Sequence, residues 1–126
     1  ILGICLGMQL LTTKSEEGTL SGLNLINAKT LKFPENKNVK VPHMGWNTVK
    51  PMNNNRLIHN IKSELKFYFV HSYYVSVSNK KNISMVTQHG IEFVSAIEQG
   101  NLFGVQFHPE KSHKFGMRLL DNFCQL

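Results

Sequence analysis

The apolar residues at the start of the chain change their spacing after the first few positions. Residues 1–4 form an apolar run that contains one glycine, which is typical of a buried strand in a parallel sheet. The next apolar residues have helical spacing and are Met8, Leu10 and Leu11. The pattern therefore predicts a strand that ends at Ile4, a helix that begins near Leu6 and an exit from that helix over residues 15–18.

Short β-prone segments separated by turn residues occupy the middle of the chain. The predicted strands cover residues 23–26, 29–33, 66–70, 73–77, 83–88, 93–97 and 102–107. Turns are predicted at residues 79–82, 89–90 and 100–101, and a short helical turn at 57–61. Residues 114–126 predict a final helix packed on the sheet, because one helical face carries Phe115, Leu119, Leu120 and Phe123.

These elements predict an α/β fold with an antiparallel β portion, and no repeat or linker divides the chain. The 126 residues, of which 41% are hydrophobic and 17% charged, correspond to one folded domain. The longest apolar stretch, residues 1–11, is shorter than the roughly 20 residues of a membrane span, so we expect no membrane partner. The chain begins at Ile1 within a predicted strand, without a signal peptide, and we interpret it as part of a longer domain.

The net charge of +6 is spread along the chain rather than clustered. Only Lys80 and Lys81 are adjacent basic residues, and arginine occurs twice. Nucleic-acid-binding proteins usually concentrate basic residues on one face, so we interpret the charge as a solvated surface and expect no nucleic-acid partner. An acidic small substrate or a partner protein stays open. Cys5 and Cys124 lie at opposite ends of the chain, which argues against a disulfide and favours a reducing compartment, the cytoplasm.

The first candidate chemical motif surrounds Cys5. The sequence Gly3-Ile4-Cys5-Leu6-Gly7 lies at the predicted junction of strand and helix, which is the pattern of a nucleophile elbow with Cys in place of Ser. The strained turn needs small residues two positions to either side. We expect the helix N-terminus to lower the thiol pKa and the backbone N–H of Leu6 to face a developing oxyanion. A small buried core cysteine between two glycines is the open alternative.

The second candidate motif is Gln106-Phe107-His108-Pro109-Glu110. In an extended chain His108 and Glu110 point to the same side, and Pro109 keeps His108 away from helical backbone angles. A histidine that accepts a thiol proton and an acid that fixes its tautomer must converge in this way, although their contact requires a bend. A surface ion pair or a structural histidine is the open alternative.

Four blocks of residues, in order along the chain, resemble the class I (triad) glutamine amidotransferases. Residues 5–11 and 104–112 carry the Cys and His-Glu motifs of that family. Residues 42–47 and 68–73 resemble, more narrowly, the glutaminase subunits of imidazole glycerol phosphate synthases. The resemblance spans nearly the whole chain. It implies a flavodoxin-like α/β sheet with helices on both faces, of which residues 1–126 are the C-terminal portion, incomplete at the N-terminus.

The resemblance implies a role for individual residues. Cys5 would attack the side-chain amide of L-glutamine, His108 would relay protons and Glu110 would orient His108. A γ-glutamyl thioester would form while ammonia leaves, and water would then release glutamate. Backbone at Leu6 would serve the oxyanion, and the expected glutamine-binding residues are Gln9, Glu17, Ser72 and Tyr73. Without the resemblance, Gln9 is a polar residue on an apolar helix and Glu17 is a solvated charge.

The resemblance also implies a contact surface for an ammonia-accepting synthase subunit, a (β/α)8 barrel of the cyclase type. The expected interface residues are Pro42, His43, Met44, Gly45, Trp46, Tyr68 and Lys111. The block around Trp46 contains no catalytic residue type, which favours a contact surface. A Trp46 side chain buried in the core is an equally open alternative.

The implied function is glutamine hydrolysis, with ammonia passed to the synthase subunit that makes imidazole glycerol phosphate and AICAR in histidine biosynthesis. Alternatives are a related subunit that feeds a surface-sugar synthase, a cysteine hydrolase of γ-glutamyl conjugates and a catalytically silent subunit. Family domains have about 200 residues, and the glycine loop with a second oxyanion donor would lie outside this segment, so we expect it to be inactive alone. No cofactor is implied. The histidines lack ligand spacing with Cys or carboxylates, so no metal is assigned.

Overall fold

The computed structural model describes residues 1–36, 38–52 and 55–126. Within these residues two α-helices, α1 (Leu6–Leu10) and α2 (His113–Cys124), accompany nine strands. The strands are β1 (Leu2–Ile4), β2 (Lys14–Ser15), β3 (Ala28–Lys32), β4 (His43–Pro51), β5 (Leu65–His71), β6 (Tyr73–Val77), β7 (Ile83–His89), β8 (Ile91–Gln99) and β9 (Leu102–Val105). Short 3₁₀ turns cover Lys80–Asn82 and Pro109–Lys111.

The strands form one sheet whose main path has the order β2-β3-β6-β8-β7-β4-β5. Strand β9 pairs antiparallel with β8 and parallel with β1, so β1 and β9 lie beside this path. The other parallel pair is β2 with β3, and the remaining pairs are antiparallel. The sheet is thus mixed, as expected, with parallel pairing at the strand that leads into the Cys motif.

The two helices cover opposite faces of the sheet. This is seen at two successive residues of β9, Phe103 and Gly104. A Cβ on Gly104 would lie 2.7 Å from Met8 Cγ of α1. The neighbouring Phe103 ring packs edge-on against Phe123 of α2, with 5.8 Å between the ring centroids. Because successive strand residues point to opposite faces, α1 and α2 cover different sides, and the expectation of helices on both faces is confirmed.

The main core lies on the α2 side and is rich in aromatic rings. Strand β5 alternates in the expected way, with Leu65, Phe67 and Phe69 buried on one face. Phe67 stacks on Phe107, with 3.9 Å between the ring centroids, and Leu119 of α2 closes the cluster. This rigid layer supports the segment that follows β9, where the His motif lies.

Several predicted elements differ in the structure. Residues 23–26 are not a strand: Leu23 and Leu25 donate backbone hydrogen bonds to carbonyls of Leu10 and Leu11, so the segment wraps around the end of α1. Helix α1 ends at Leu10 rather than near 15, and the chain then turns to the sheet, where Thr13 N–H donates to the Ala28 carbonyl. The other predicted strands, the 57–61 turn and the final helix lie close to their expected positions.

Strand β4 was missing from the sequence prediction. Gly45 and Asn47 interrupt its apolar alternation, and a glycine within a β segment is unfavourable. In the structure Gly45 has φ +115°, a conformation that favours glycine, and β4 pairs with β5 over residues 43–49. No helix of the described residues is both long enough and apolar enough to cross a membrane.

Candidate active site

Cys5 occupies a sharp turn between β1 and α1. Its φ of 52° and ψ of −107° form a strained backbone conformation, and its N–H donates to the Val105 carbonyl at 2.8 Å. A Cβ on Gly3 would lie 2.6 Å from the Gly7 carbonyl oxygen, so position 3 has no room for a side chain. A Cβ on Gly7 would meet nothing within 4 Å. The elbow geometry is present, but the expectation of a steric need for glycine at both positions is wrong at Gly7.

The Cys5 thiol is partly buried, and its electrostatic surroundings differ from the expectation. Burial raises the pKa of the thiol, and the backbone N–H of Leu6 and the side-chain amide of Gln106 oppose that effect without overcoming it. The carboxylates of Glu110 and Glu17 also raise the thiol pKa. The predicted lowering by the helix N-terminus is therefore wrong in net direction, because desolvation outweighs the donors beside a helix of only five residues.

His108 and Glu110 form a hydrogen-bonded pair. His108 Nδ1 lies 3.0 Å from Glu110 Oε2, and the 3₁₀ turn Pro109–Lys111 supplies the bend that this contact requires. The His108 backbone is extended, with φ −105° and ψ 97°. Its N–H donates to the Tyr68 carbonyl at 2.9 Å, and its carbonyl accepts from the Ser112 hydroxyl at 2.6 Å. These bonds hold the histidine from both sides.

The second ring nitrogen of His108 is the unusual atom of the pair. Within the described residues, Nε2 is buried and has no hydrogen-bond partner. With the proton on Nδ1 directed at the Glu110 carboxylate, Nε2 presents a free lone pair. Buried polar atoms normally have a hydrogen-bond partner. Because His108 Nε2 has none in the part of the chain that the structure describes, this nitrogen is available as a base that can accept a proton.

A cavity of about 300 Å³ opens beside the Cys5 side chain. Its lining residues are Cys5, Leu6, Gln9, Glu17, Val70, His71, Ser72 and Tyr73. All four residues expected to bind glutamine line this cavity together with Cys5. A second groove of about 520 Å³ shares Leu6, Gln9 and Glu17 and continues along residues 18–22. The volume of the smaller cavity is at the lower end of the roughly 300–1,000 Å³ typical of ligand pockets.

A network of amides, which the sequence analysis did not identify, connects the cavity wall to the thiol. Gln106 is fully buried, and its Nε2 lies 3.6 Å from Cys5 Sγ. Gln9 Nε2 lies 3.1 Å from Gln106 Oε1 and 3.2 Å from the Tyr73 carbonyl oxygen. The available signal was a glutamine enclosed by apolar residues in a predicted strand, since a fully buried polar side chain requires partners.

Among the expected interface residues, His43 is in a different place. It is the first residue of β4, faces the core and is only 4% exposed, so it cannot form part of a contact surface. Its Nδ1 lies 2.9 Å from His71 Nε2, and His71 Nδ1 lies 2.7 Å from the Tyr73 carbonyl oxygen. Burial, with smaller contributions from neighbouring histidines, lowers the pKa of His43 to about 3, and burial lowers the pKa of His71 to about 4.

The opposite face of β4 is exposed. Met44 is 62% and Trp46 47% exposed, and the Trp46 ring contacts the rings of Tyr68 and His113. The alternative of a buried Trp46 in the core is therefore wrong. The other expected interface residues, Pro42, Gly45 and Lys111, lie at or near the surface. Among the residues that the structure describes, no three His, Cys, Asp or Glu side chains are grouped to hold a metal ion.

The known proteins that this chain is similar to agree in their description. The family described as "Glutamine amidotransferase class-I" matches residues 1–126. An "Imidazole glycerol phosphate synthase subunit HisH 2" of Methanococcus maripaludis is 59% identical over 125 residues, which are 99% of this chain and 62% of that protein. A protein of the same description from Pseudomonas aeruginosa is 44% identical over 126 residues, 100% of this chain and 62% of that protein.

Solved structures show the same fold. A GMP synthase protein from Thermoplasma acidophilum superposes with a TM-score of 0.72 at 22% identity, over 99% of this chain and 55% of that one. A glutamine amidotransferase from Thermotoga maritima gives a TM-score of 0.64 at 19% identity, over 98% of this chain and 46% of that one. The chain spans about 62% of the length of the curated relatives it matches.

Proposed function

Because this chain belongs to the class I glutamine amidotransferases, we propose that it carries the glutaminase site of a subunit that hydrolyses L-glutamine and passes ammonia to a synthase. The observation that carries the proposal is that the fold combines a strained elbow at Cys5, a cavity beside that side chain and a His108–Glu110 pair with a free ring nitrogen. These are the parts of a cysteine nucleophile, a substrate pocket and an oriented base.

The first half of the proposed reaction forms a thioester. His108 Nε2 accepts the Cys5 thiol proton, and Cys5 Sγ forms a bond to the side-chain carbonyl carbon of glutamine. The carbonyl oxygen becomes an oxyanion that accepts a hydrogen bond from the Leu6 backbone N–H. When the tetrahedral intermediate collapses, the C–N bond breaks, His108 returns the proton to the leaving nitrogen, and ammonia departs from the γ-glutamyl thioester.

The second half of the reaction regenerates the thiol. His108 Nε2 takes a proton from water, and the water oxygen attacks the thioester carbon. The C–S bond then breaks, the proton returns to Cys5 and glutamate leaves. Glu110 keeps the Nδ1 proton of His108 in place and stabilises the imidazolium formed in each half, which is why their 3.0 Å contact supports this role.

We propose that glutamine is held by the walls of the Cys5 cavity. Glu17 provides a carboxylate suited to the substrate α-amino group, and we assign the backbone of Ser72 and Tyr73, which lines the same cavity, to its amino-acid end. Gln9 already donates hydrogen bonds to two protein oxygens, so its contact with substrate would use its remaining oxygen. Glu17 and Gln9 also line the larger groove, which is therefore the natural route of entry.

The partner in this proposal is the synthase subunit that makes imidazole glycerol phosphate and AICAR in histidine biosynthesis, with a (β/α)8 barrel of the cyclase type. The names of the relatives, which are subunits of imidazole glycerol phosphate synthases, support a synthase partner. The exposed Met44 and Trp46 side chains, with the Tyr68 ring against Trp46, provide an apolar and aromatic surface of the kind that interfaces use, and Lys111 is also exposed. Residues 1–126 would be the C-terminal portion of one amidotransferase domain, and unpaired Cys5 and Cys124 suit a cytoplasmic location.

The test is glutamate release from L-glutamine by the full-length subunit that contains residues 1–126, measured with and without the synthase subunit. We expect turnover that depends on the partner and that disappears in Cys5→Ser, while Cys124→Ser, an equivalent change at the other thiol, retains it. Partner-independent turnover of γ-glutamyl conjugates would instead favour a hydrolase. No glutamate in the presence of the partner, or equal turnover by Cys5→Ser, would contradict the proposed function.

A further inference from the structure

The buried amide network described above has a defined direction. A primary amide places nitrogen and oxygen in nearly equivalent positions, so its orientation must be deduced from its partners. The Tyr73 carbonyl oxygen accepts hydrogen bonds and cannot donate, and Gln9 contacts it at 3.2 Å. The nitrogen of Gln9 must therefore face Tyr73, so the Tyr73 carbonyl oxygen determines the orientation of the Gln9 side-chain amide.

The direction of the Gln106 side-chain amide is fixed in turn. Because Gln9 Nε2 also lies 3.1 Å from the Gln106 side chain, Gln106 must present its oxygen there. Its nitrogen then faces Cys5 Sγ at 3.6 Å. Gln106 is fully buried and Gln9 is 7% exposed, so neither amide can readily replace these hydrogen bonds with bonds to water. Reversal of Gln106 would place an oxygen lone pair against the sulfur and leave two N–H groups facing one another.

An N–H donor at this position favours the ionised form of the sulfur. Hydrogen bonds to a charged group stabilise that form and are stronger than those between neutral groups. Burial raises the pKa of the Cys5 thiol, and the Gln106 amide acts against it. The donor thus offsets part of the cost of placing a nucleophile in a partly desolvated pocket.

We propose that Gln106 is a positioning residue that donates a hydrogen bond to the Cys5 sulfur and increases its thiolate fraction, and that Gln9 fixes the direction of that bond. The catalytic benefit of this hydrogen bond rests on the proposed function. Its effect on ionisation of the Cys5 thiol can be tested without glutamine turnover. It also assigns Gln9 a task within the protein in addition to its place on the cavity wall.

The experiment measures the rate of Cys5 alkylation by iodoacetamide as a function of pH. A Cys124→Ser background leaves one thiol to follow. Two variants remove the donor: Gln106→Met, of similar shape, and Gln106→Glu, which adds a negative charge. Gln99→Glu makes the same chemical change at an exposed site and is the control. Circular dichroism melts establish that each variant is folded, and alkylation in denaturant provides the reference rate.

We expect the alkylation midpoint to rise by about one pH unit in Gln106→Met, a tenfold loss of thiolate below the midpoint, and further in Gln106→Glu. Gln99→Glu should match the parent. If the Gln106 variants do not fold, Gln9→Leu decides the matter: it releases the Gln106 amide and should also raise the midpoint. An unchanged alkylation midpoint in folded Gln106 variants would overturn the proposal. If Gln9→Leu is the one variant that folds, an unchanged midpoint in Gln9→Leu would overturn it. An unchanged midpoint together with normal glutamine turnover would overturn it while leaving the proposed function intact.

Discussion

The two glycines that flank the nucleophile look equivalent in the sequence but differ in the structure, and this difference yields a sharp prediction. A Cβ at Gly3 would lie 2.6 Å from the Gly7 oxygen, 2.7 Å from its carbonyl carbon and 2.8 Å from Met8 N. All three atoms are backbone, so no side chain can rotate away. Alanine at this position must push β1 away from α1. A Cβ at Gly7 would contact nothing within 4 Å.

The magnitude follows from these contacts. Overpacking against a fixed neighbour costs typically about 1–3 kcal/mol, so Gly3→Ala should destabilise the chain by that amount. Gly7 lies within α1, where alanine has the higher helix propensity by up to about 1 kcal/mol, so Gly7→Ala should be neutral or slightly stabilising. Because Cys5 lies between β1 and α1, Gly3→Ala should also change the reactivity of its thiol.

The assay is denaturant unfolding of the parent and both alanine variants, with iodoacetamide alkylation of Cys5 as a local readout. Gly7→Ala is the matched control, because it adds the same methyl group four residues away. A Gly3→Ala variant with the parent's unfolding midpoint and alkylation rate would refute the steric argument. So would a Gly7→Ala variant that loses as much stability as Gly3→Ala.

Three further predictions concern stability, the partner surface and the base. Since burial lowers the pKa of His43 to about 3 and of His71 to about 4, the unfolded state binds more protons below about pH 6.5. The free energy of unfolding should therefore be highest above that pH and fall as the pH decreases, by up to about 3 kcal/mol per pH unit near pH 5 when both histidines contribute. Urea unfolding at several pH values measures this dependence, and the control His59→Gln, at an exposed position, should retain the parent's slope. A free energy of unfolding that does not change with pH in the parent and in His43→Phe would contradict the prediction. Trp46→Ala should weaken synthase binding about 30-fold in calorimetry while changing stability by less than about 1 kcal/mol, whereas a large stability loss would place the ring in a core. Glu110→Gln should lower kcat about 100-fold with KM nearly unchanged, and a normal kcat would remove Glu110 from the mechanism.

Much of the fold was predictable because local patterns agree with the tertiary structure. Strands β5 to β8 have clear alternation and turn residues between them, and α2 has a continuous apolar face. Strand β4 was not predictable in this way, because the positive φ of Gly45 and the pairing with β5 are features of the folded chain that the local residue pattern does not contain. The 23–26 segment has β-prone residues, but backbone hydrogen bonds to the end of α1 determine its path.

The candidate site shows the same division. The Cys5 and His108 motifs are local, so short sequence patterns predicted the elbow and the His108–Glu110 contact. The thiol pKa direction was wrong because burial is a tertiary property that a motif does not contain. Gln106 was missed for a related reason: its partners lie about one hundred residues earlier, and only the folded sheet brings them together.

If Cys5 is the nucleophile of a glutamine site, a reactive glutamine analogue must label this residue, so the location of covalent labelling is the most direct test. The full-length subunit that contains residues 1–126 is incubated with an electrophilic diazoketone analogue of L-glutamine, with and without competing glutamine, and digested for mass spectrometry. We expect one adduct on Cys5, protection by glutamine and no adduct on the exposed Cys124. Equal labelling of both thiols, or labelling of Cys5 that glutamine does not reduce, would contradict it.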